Sequence, residues 1–117
     1  MPEYDDSCIF CKIAAGEMGT EFVAESENVV AFNDINPVAP VHILVIPRVH
    51  VESAHHLQAS KVDILKELLE TAQKVATEAG IDESGYRLVT NSGPESGQEV
   101  FHLHIHVIGG RKLKGIG

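Results

Sequence analysis

Basic residues are scarce in this chain of 117 residues: nine lysines and arginines stand against seventeen aspartates and glutamates, a formal charge of −8. Neutralising a phosphate backbone needs the opposite sign, and the densest basic stretch is "RKLK" near the C-terminus, so a nucleic-acid partner is not expected. Long apolar runs are missing too. Nothing approaches the roughly 18 residues of a membrane span, and the opening "MPEYDDSC" is acidic where a secretion signal is basic. A soluble, cytoplasmic protein without membrane partners is therefore expected. Cysteine occurs only as Cys8 and Cys11, too few for a disulfide framework. Two thiols three positions apart in a reducing compartment read as a metal or redox pair. Repeats, low-complexity tracts and linker-like stretches are absent, so a single domain over 1–117 is expected, with 44% apolar residues to build its core.

What the chain does have is pattern. "SCIFCKIAAGE" predicts a short helix from Ser7 closed by Gly16, and "EFVAES" with "NVVAFND" predicts a hairpin turning at Glu27-Asn28. The two prolines of "DINPVAPVH" make it a loop, feeding the strand "HILVIP". From Ser60 to Ala79 the period changes to that of a helix. Leu65, Leu68, Leu69, Ala72, Val75, Ala76 and Ala79 form one face, with Lys66, Glu67, Glu70, Gln73 and Lys74 on the wet side. Ser60 and Asp63 supply start signals and Gly80 a stop. "YRLVTN" and "VFHLHIHVI" read as strands around the Gly-rich loop "SGPESGQ". The fold class that follows is α+β: an antiparallel five-stranded sheet with one long helix and a short N-terminal helix.

Histidine, unlike lysine, is plentiful, and three of the seven lie in "FHLHIHVIGGR". In an extended chain His102, His104 and His106 share one face, while Phe101, Leu103, Ile105 and Val107 share the other, which seeks a core. At roughly 6.6 Å per pair of residues the row spans about 13 Å, too long for one metal ion, so its members must divide the work. Neutral imidazole is a nucleophile near neutral pH without the base that a hydroxyl needs. Two neighbours on one face can act on one bound group, one attacking while the other donates a hydrogen bond.

His-x-His-x-His followed by apolar residues is the signature of the histidine triad (HIT) superfamily. "IFCKI", "AFNDINPVAPVHILVIPRVH", "GYRLVTNSG" and "GQEVFHLHIHVIGGR" resemble, in order and spacing, its nucleotide-binding, Hint-like branch. That resemblance implies a HIT-like fold, a homodimer whose sheets join with the final strand near the interface, and cleavage of the P–N bond of adenosine 5'-phosphoramidates through a nucleotidyl-histidine intermediate. It implies His104 as nucleophile, His106 on the phosphate, and His42 behind the nucleophile, holding its tautomer. Asn91, Gly97, Gln98 and Glu99 would complete the phosphate cradle. Asp34 matches a ribose-binding aspartate, the turn former before Ile35-Asn36-Pro37 being the other reading of it. Ile9, Phe10, Ile13, Met18 and Phe32 match apolar positions around the purine base, and such residues also build cores.

Two departures stand out. Many relatives carry a hydroxyl where this chain has Glu99, which when ionised cannot donate to phosphate, and when neutral can protonate a leaving amine or simply face solvent. Cys8 and Cys11 are the second. Bacterial relatives and related uridylyltransferases bind zinc with such a pair and two histidines, here matched by His50 and His102, which implies a structural zinc ion. The expected function is a purine nucleoside phosphoramidase acting on AMP derivatives. A dinucleoside polyphosphate hydrolase and a non-enzymatic, dimeric nucleotide-binding adaptor are the alternatives.

Overall fold

The computed structural model describes residues 4–116; residues 1–3 and 117, the ends of the expected domain, lie outside the described residues. The elements are α1 (Ile9–Ala14), β1 (Ala24–Glu25), β2 (Val29–Asn33), β3 (Val41–Pro47), α2 (Val62–Glu78), β4 (Tyr86–Val89) and β5 (Ile105–Gly109), with short 3-10 turns before α2 and between β4 and β5. Among the described residues five strands form one antiparallel sheet in the order β1-β2-β3-β5-β4. The α+β architecture with one long and one short helix is thus present.

The sheet is covered on both faces, which explains why "VVAF" and "ILVI" are unbroken apolar runs. Val29, Ala31, Ile43 and Val45 pack with Leu68, Ala72, Val75 and Ala76 of α2. Val30, Phe32, Leu44 and Ile46 turn the other way, onto Phe10, Cys11 and Ala14 of α1. Leu103 and Val107 join the α2 side, so His104 and His106 fall on the α1 side, as the alternation requires.

The elements differ from expectation in instructive places. The last strand begins at Ile105, so His102 and His104 precede it. In the register of β3 with β5, Val45 faces Ile105; continuing it would set Leu103 opposite Pro47, which has no N–H for a ladder. The Leu103 N–H instead donates to the Val51 carbonyl at 2.6 Å. β5 is internal, and the free edge beside it is β4.

Helix α1 is capped by Cys8, whose sulfur accepts from the Cys11 N–H at 3.3 Å, rather than by Ser7. Ser60 lies in a 3-10 turn and caps nothing. Gly80, at φ 77°, ends α2 in the left-handed conformation that glycine adopts freely. Glu67 does not simply face water. Its carboxylate accepts from the Asn28 N–H (2.7 Å), Asn28 Nδ2 (3.0 Å) and the Ser26 hydroxyl, tying the β1–β2 turn to α2. Leu65 and Leu69, expected in the core, are 49% and 45% exposed, because the buried stripe runs through Leu68, Thr71, Ala72, Val75 and Ala76.

Candidate functional site

Strands β2 and β3, the start of β5 and helix α1 surround a cavity of about 570 Å³. Its lining includes Ile9, Phe10, Ile13 and Phe32, Asp34, His42, His104 and His106, and Asn91, Gly97 and Glu99 from the loop before β5. Ile35, Val38 and Leu44 also line it, and the sequence reading did not single them out. Ile35 and Val38 sit in the proline loop, and their apolar character beside Asp34 was the available signal. Met18 is 51% exposed and is not part of this lining. Gln98 is also outside the lining. Its Oε1 accepts from the Gly93 N–H (2.8 Å) and its Nε2 donates to the Glu52 and Val100 carbonyls (2.8 and 3.0 Å). It staples the loop and has no donor left for a ligand.

Each of the three histidine rings at the cavity has its protonated nitrogen fixed by a neighbour. His104 Nδ1 lies 2.7 Å from the His102 carbonyl, an oxygen that can only accept. Nδ1 therefore carries the proton, and the Nε2 lone pair is free. The Val38 N–H donates to His42 Nδ1 at 3.2 Å, so the His42 proton sits on Nε2 and is given to His106 Nδ1 at 2.8 Å. His106 must then carry its own proton on Nε2, ready to donate. Its pKa is pushed down to about 4, first by burial and then by the neighbouring His104 and His42 rings, with Asp34 opposing. Neutral at physiological pH, it donates to an oxygen without itself being a cation.

His42 was expected to hold the nucleophile. The structure pairs it with His106 instead, and the backbone carbonyl of His102 holds His104. Asp34 does two things: Oδ1 accepts from the Asn36 N–H at 2.8 Å, closing the turn, while Oδ2 lies 3.4 Å from His42 Nε2 at the cavity wall. Asp34, His42 and His106 are close enough to suggest a cation site. The His42 tautomer argues otherwise, since the Val38 N–H forces a proton onto the nitrogen that would have to ligate.

Behind the cavity, Cys8, Cys11, His50 and His102 bring one donor atom each within 4.8 Å of one another. His102 Nε2 donates to the Pro47 carbonyl at 2.8 Å, leaving the Nδ1 lone pair facing Cys8 Sγ at 3.3 Å and Cys11 Sγ at 3.5 Å. Cys11 Sγ lies 3.3 Å from His50 Nδ1. Zinc bonds of about 2.3 Å to sulfur and about 2.0 Å to nitrogen, at tetrahedral angles, put S and N about 3.5 Å apart. The donor set and its spacing fit a tetrahedral metal ion. Such an ion would be structural, since four protein ligands leave no open position. Without metal, burial pushes the Cys11 thiol up to about 11, so loading the site expels a proton from it. Burial also pushes His102 down to about 4, keeping its ring neutral.

The HIT domain family profile matches residues 15–113. The chain is 40% identical over 108 residues to the purine nucleoside phosphoramidase of Escherichia coli (strain K12), covering 92% of this chain and 91% of that one. It is 45% identical over 107 residues to the 14 kDa zinc-binding protein of Brassica juncea, covering 90% and 94%. Among solved structures it resembles the HIT family hydrolase from Clostridium thermocellum, with a TM-score of 0.92 at 44% identity over 96% of this chain and 97% of that one.

Proposed function

The chain belongs to the HIT family of nucleotide hydrolases, and within that family we propose that it is a purine nucleoside phosphoramidase, cleaving adenosine 5'-phosphoramidates to AMP and an amine. The observation that carries the reading is the pairing of tautomers: His104 presents a lone pair to the cavity, and His106 beside it presents an N–H, their ring centroids 5.0 Å apart. His104 Nε2 attacks phosphorus while His106 Nε2–H donates to a nonbridging oxygen. The P–N bond breaks, and the nitrogen leaves with its electron pair and takes a proton from solvent at the cavity wall, where Glu99 is exposed. The positive charge on the nucleotidylated ring is eased by Nδ1–H on the His102 carbonyl. Water then displaces His104 and releases AMP.

Asp34 receives the ribose, and Ile9, Phe10, Ile13 and Phe32 receive the purine. Cys8, Cys11, His50 and His102 hold one zinc ion. We further infer a cytoplasmic homodimer built from a single domain: β4 is a free edge strand whose Leu88 is exposed, and α2 leaves Val62, Leu65 and Leu69 uncovered. No helix among the described residues is long and apolar enough to cross a membrane.

The test compares wild type with His104→Ala on an adenosine phosphoramidate and a diadenosine polyphosphate. The phosphoramidate should be turned over by wild type alone, and acid-quenched wild type should carry a nucleotidyl adduct on His104 by mass spectrometry. Faster cleavage of the diadenosine compound would favour the polyphosphate hydrolase. AMP binding without turnover of either would leave the adaptor reading.

A further inference from the structure

His102 belongs to two sets of contacts at once. Its ring faces the sulfurs of Cys8 and Cys11 at 3.3 and 3.5 Å, and its carbonyl accepts the His104 Nδ1 proton at 2.7 Å. One residue thus joins the four-donor cluster to the ring with the reactive lone pair. A second connection runs through α1. Cys8 caps that helix and Cys11 sits within it. Between them Phe10 sets its ring edge-to-face against His104, with centroids 5.1 Å apart at 89°, and against His102 at 6.0 Å and 74°. A helix of six residues is too short to hold itself together. Its position is set by the packing of Phe10, Cys11 and Ala14 on the sheet together with what Cys8 and Cys11 are tied to, and Phe10 carries that position to His104.

We propose that metal occupancy of the Cys8–Cys11–His50–His102 cluster controls the nucleophile, with His102 and Phe10 as positioning residues that hold the His104 ring in one tautomer, Nε2 toward the cavity. The four donors, drawn around an ion, fix the His102 peptide and the Phe10 ring together. Released, the cysteines no longer anchor α1, and the His104 ring loses both its packing partner and a rigid acceptor for Nδ1–H. The cluster has no open position for substrate, so its effect on chemistry passes through this geometry. The kinetic arm of the inference rests on the phosphoramidase reading.

The experiment takes protein labelled with ¹⁵N-histidine in three states: zinc-loaded, metal-free after chelation under reducing conditions, and zinc-restored. Long-range ¹H–¹⁵N spectra at neutral pH report the His104 tautomer directly. Loaded protein should show the Nδ1–H form alone, and metal-free protein a mixture of both. On removal of the metal, kcat for the adenosine phosphoramidate should fall by about tenfold, the size of effect typical of partners that orient a reactive ligand, with a smaller change in the Kd of AMP. Zinc should reverse both changes. A folded, metal-free protein that keeps the single tautomer and its kcat would overturn the proposal. Should the metal-free chain not fold, Phe10→Leu decides, since it leaves the four donors in place. Full zinc content with mixed His104 tautomers supports the coupling, and an unchanged tautomer overturns it. If no form hydrolyses the phosphoramidate, the phosphoramidase reading fails on its own, and the tautomer spectra still decide the coupling.

Discussion

Acid should destabilise this protein through His106, and the size of the effect follows from its surroundings. The ring is held neutral in the fold, with its pKa pushed down to about 4 by burial and by His104 and His42. In the unfolded chain it returns to about 6.5. Between those values the unfolded state binds the proton and the folded state does not, so stability rises with pH across that window and is lost as pH falls through it. Integrating the two titrations from about pH 7.5 to about pH 4.5 gives a ceiling of about 2.5 kcal/mol. The ring borders an open cavity, and solvent screening cuts this to about half. The assay is urea unfolding of wild type and His106→Asn at several pH values. Protonation within the Cys8–Cys11–His50–His102 cluster costs both proteins alike and cancels in the difference. The stability gap, wild type minus variant, should shrink by about 1 kcal/mol from about pH 7.5 to about pH 4.5. A constant gap, or one that widens in acid, would refute the reasoning that His106 is buried as a neutral donor.

Protein purified without a His tag should contain about one zinc per chain, and Cys8→Ser should contain far less and melt lower; equal metal content in both would return the cysteines to ordinary thiols. Glu99→Gln removes a negative charge from the cavity wall and should tighten AMP binding about two- to fivefold at low salt, with the gain fading as salt rises. An affinity unchanged at low salt would place the carboxylate away from the phosphate. Light scattering should give a mass twice 12.7 kDa for wild type, and Leu65→Glu with Leu69→Glu, which charges the uncovered flank of α2, should give about 12.7 kDa. A wild type that scatters as a monomer, or a double variant that stays dimeric, would count against that interface.

Much of the fold was legible because its signals are local. The period of α2, the stop at Gly80, the hairpin turn after Ser26 and the proline loop before β3 each rest on a few adjacent residues. The misreadings share a different cause: each depends on a contact made across the fold. Leu65 and Leu69 fit a helical stripe as well as Leu68 does, and only the placement of α2 on the sheet decides which side is covered. Glu67 looks like a solvent-facing residue until β1–β2 folds back onto it. Gln98 stands in a loop suited to phosphate, yet the Glu52 and Val100 carbonyls take its donors. His42 on β3 and His104 just before β5 border one site, and nothing local says that the Val38 N–H turns the His42 proton toward His106 instead. His50 and His102 came from the resemblance. The spacing of Cys8 and Cys11 announces a pair and leaves its partners open.

The early end of the β3–β5 ladder is what lets three alternating histidines differ in chemistry. Were the ladder to continue through 102–104, the backbone of these residues would be committed to strand partners, and their side chains would meet one uniform face. Pro47 prevents that. Its missing N–H stops the register, and its carbonyl is left to accept from the His102 ring. The chain from His102 to His104 is then held piecewise, by Val51 at the Leu103 N–H and by the Thr90 hydroxyl at the His104 carbonyl. In that irregular stretch the His102 carbonyl can turn to the His104 ring. A hydrogen bond of this kind is worth about 1 kcal/mol net, about fivefold toward one tautomer, and the other tautomer would in addition set the Nδ1 lone pair against the His102 carbonyl oxygen, which widens the preference until a single form remains. His106, inside the strand, receives its proton donor from the neighbouring strand's His42 instead. The same residue type thus turns a lone pair to two sulfurs, a lone pair to the cavity or an N–H to the cavity, according to which oxygen or N–H the fold sets beside each ring.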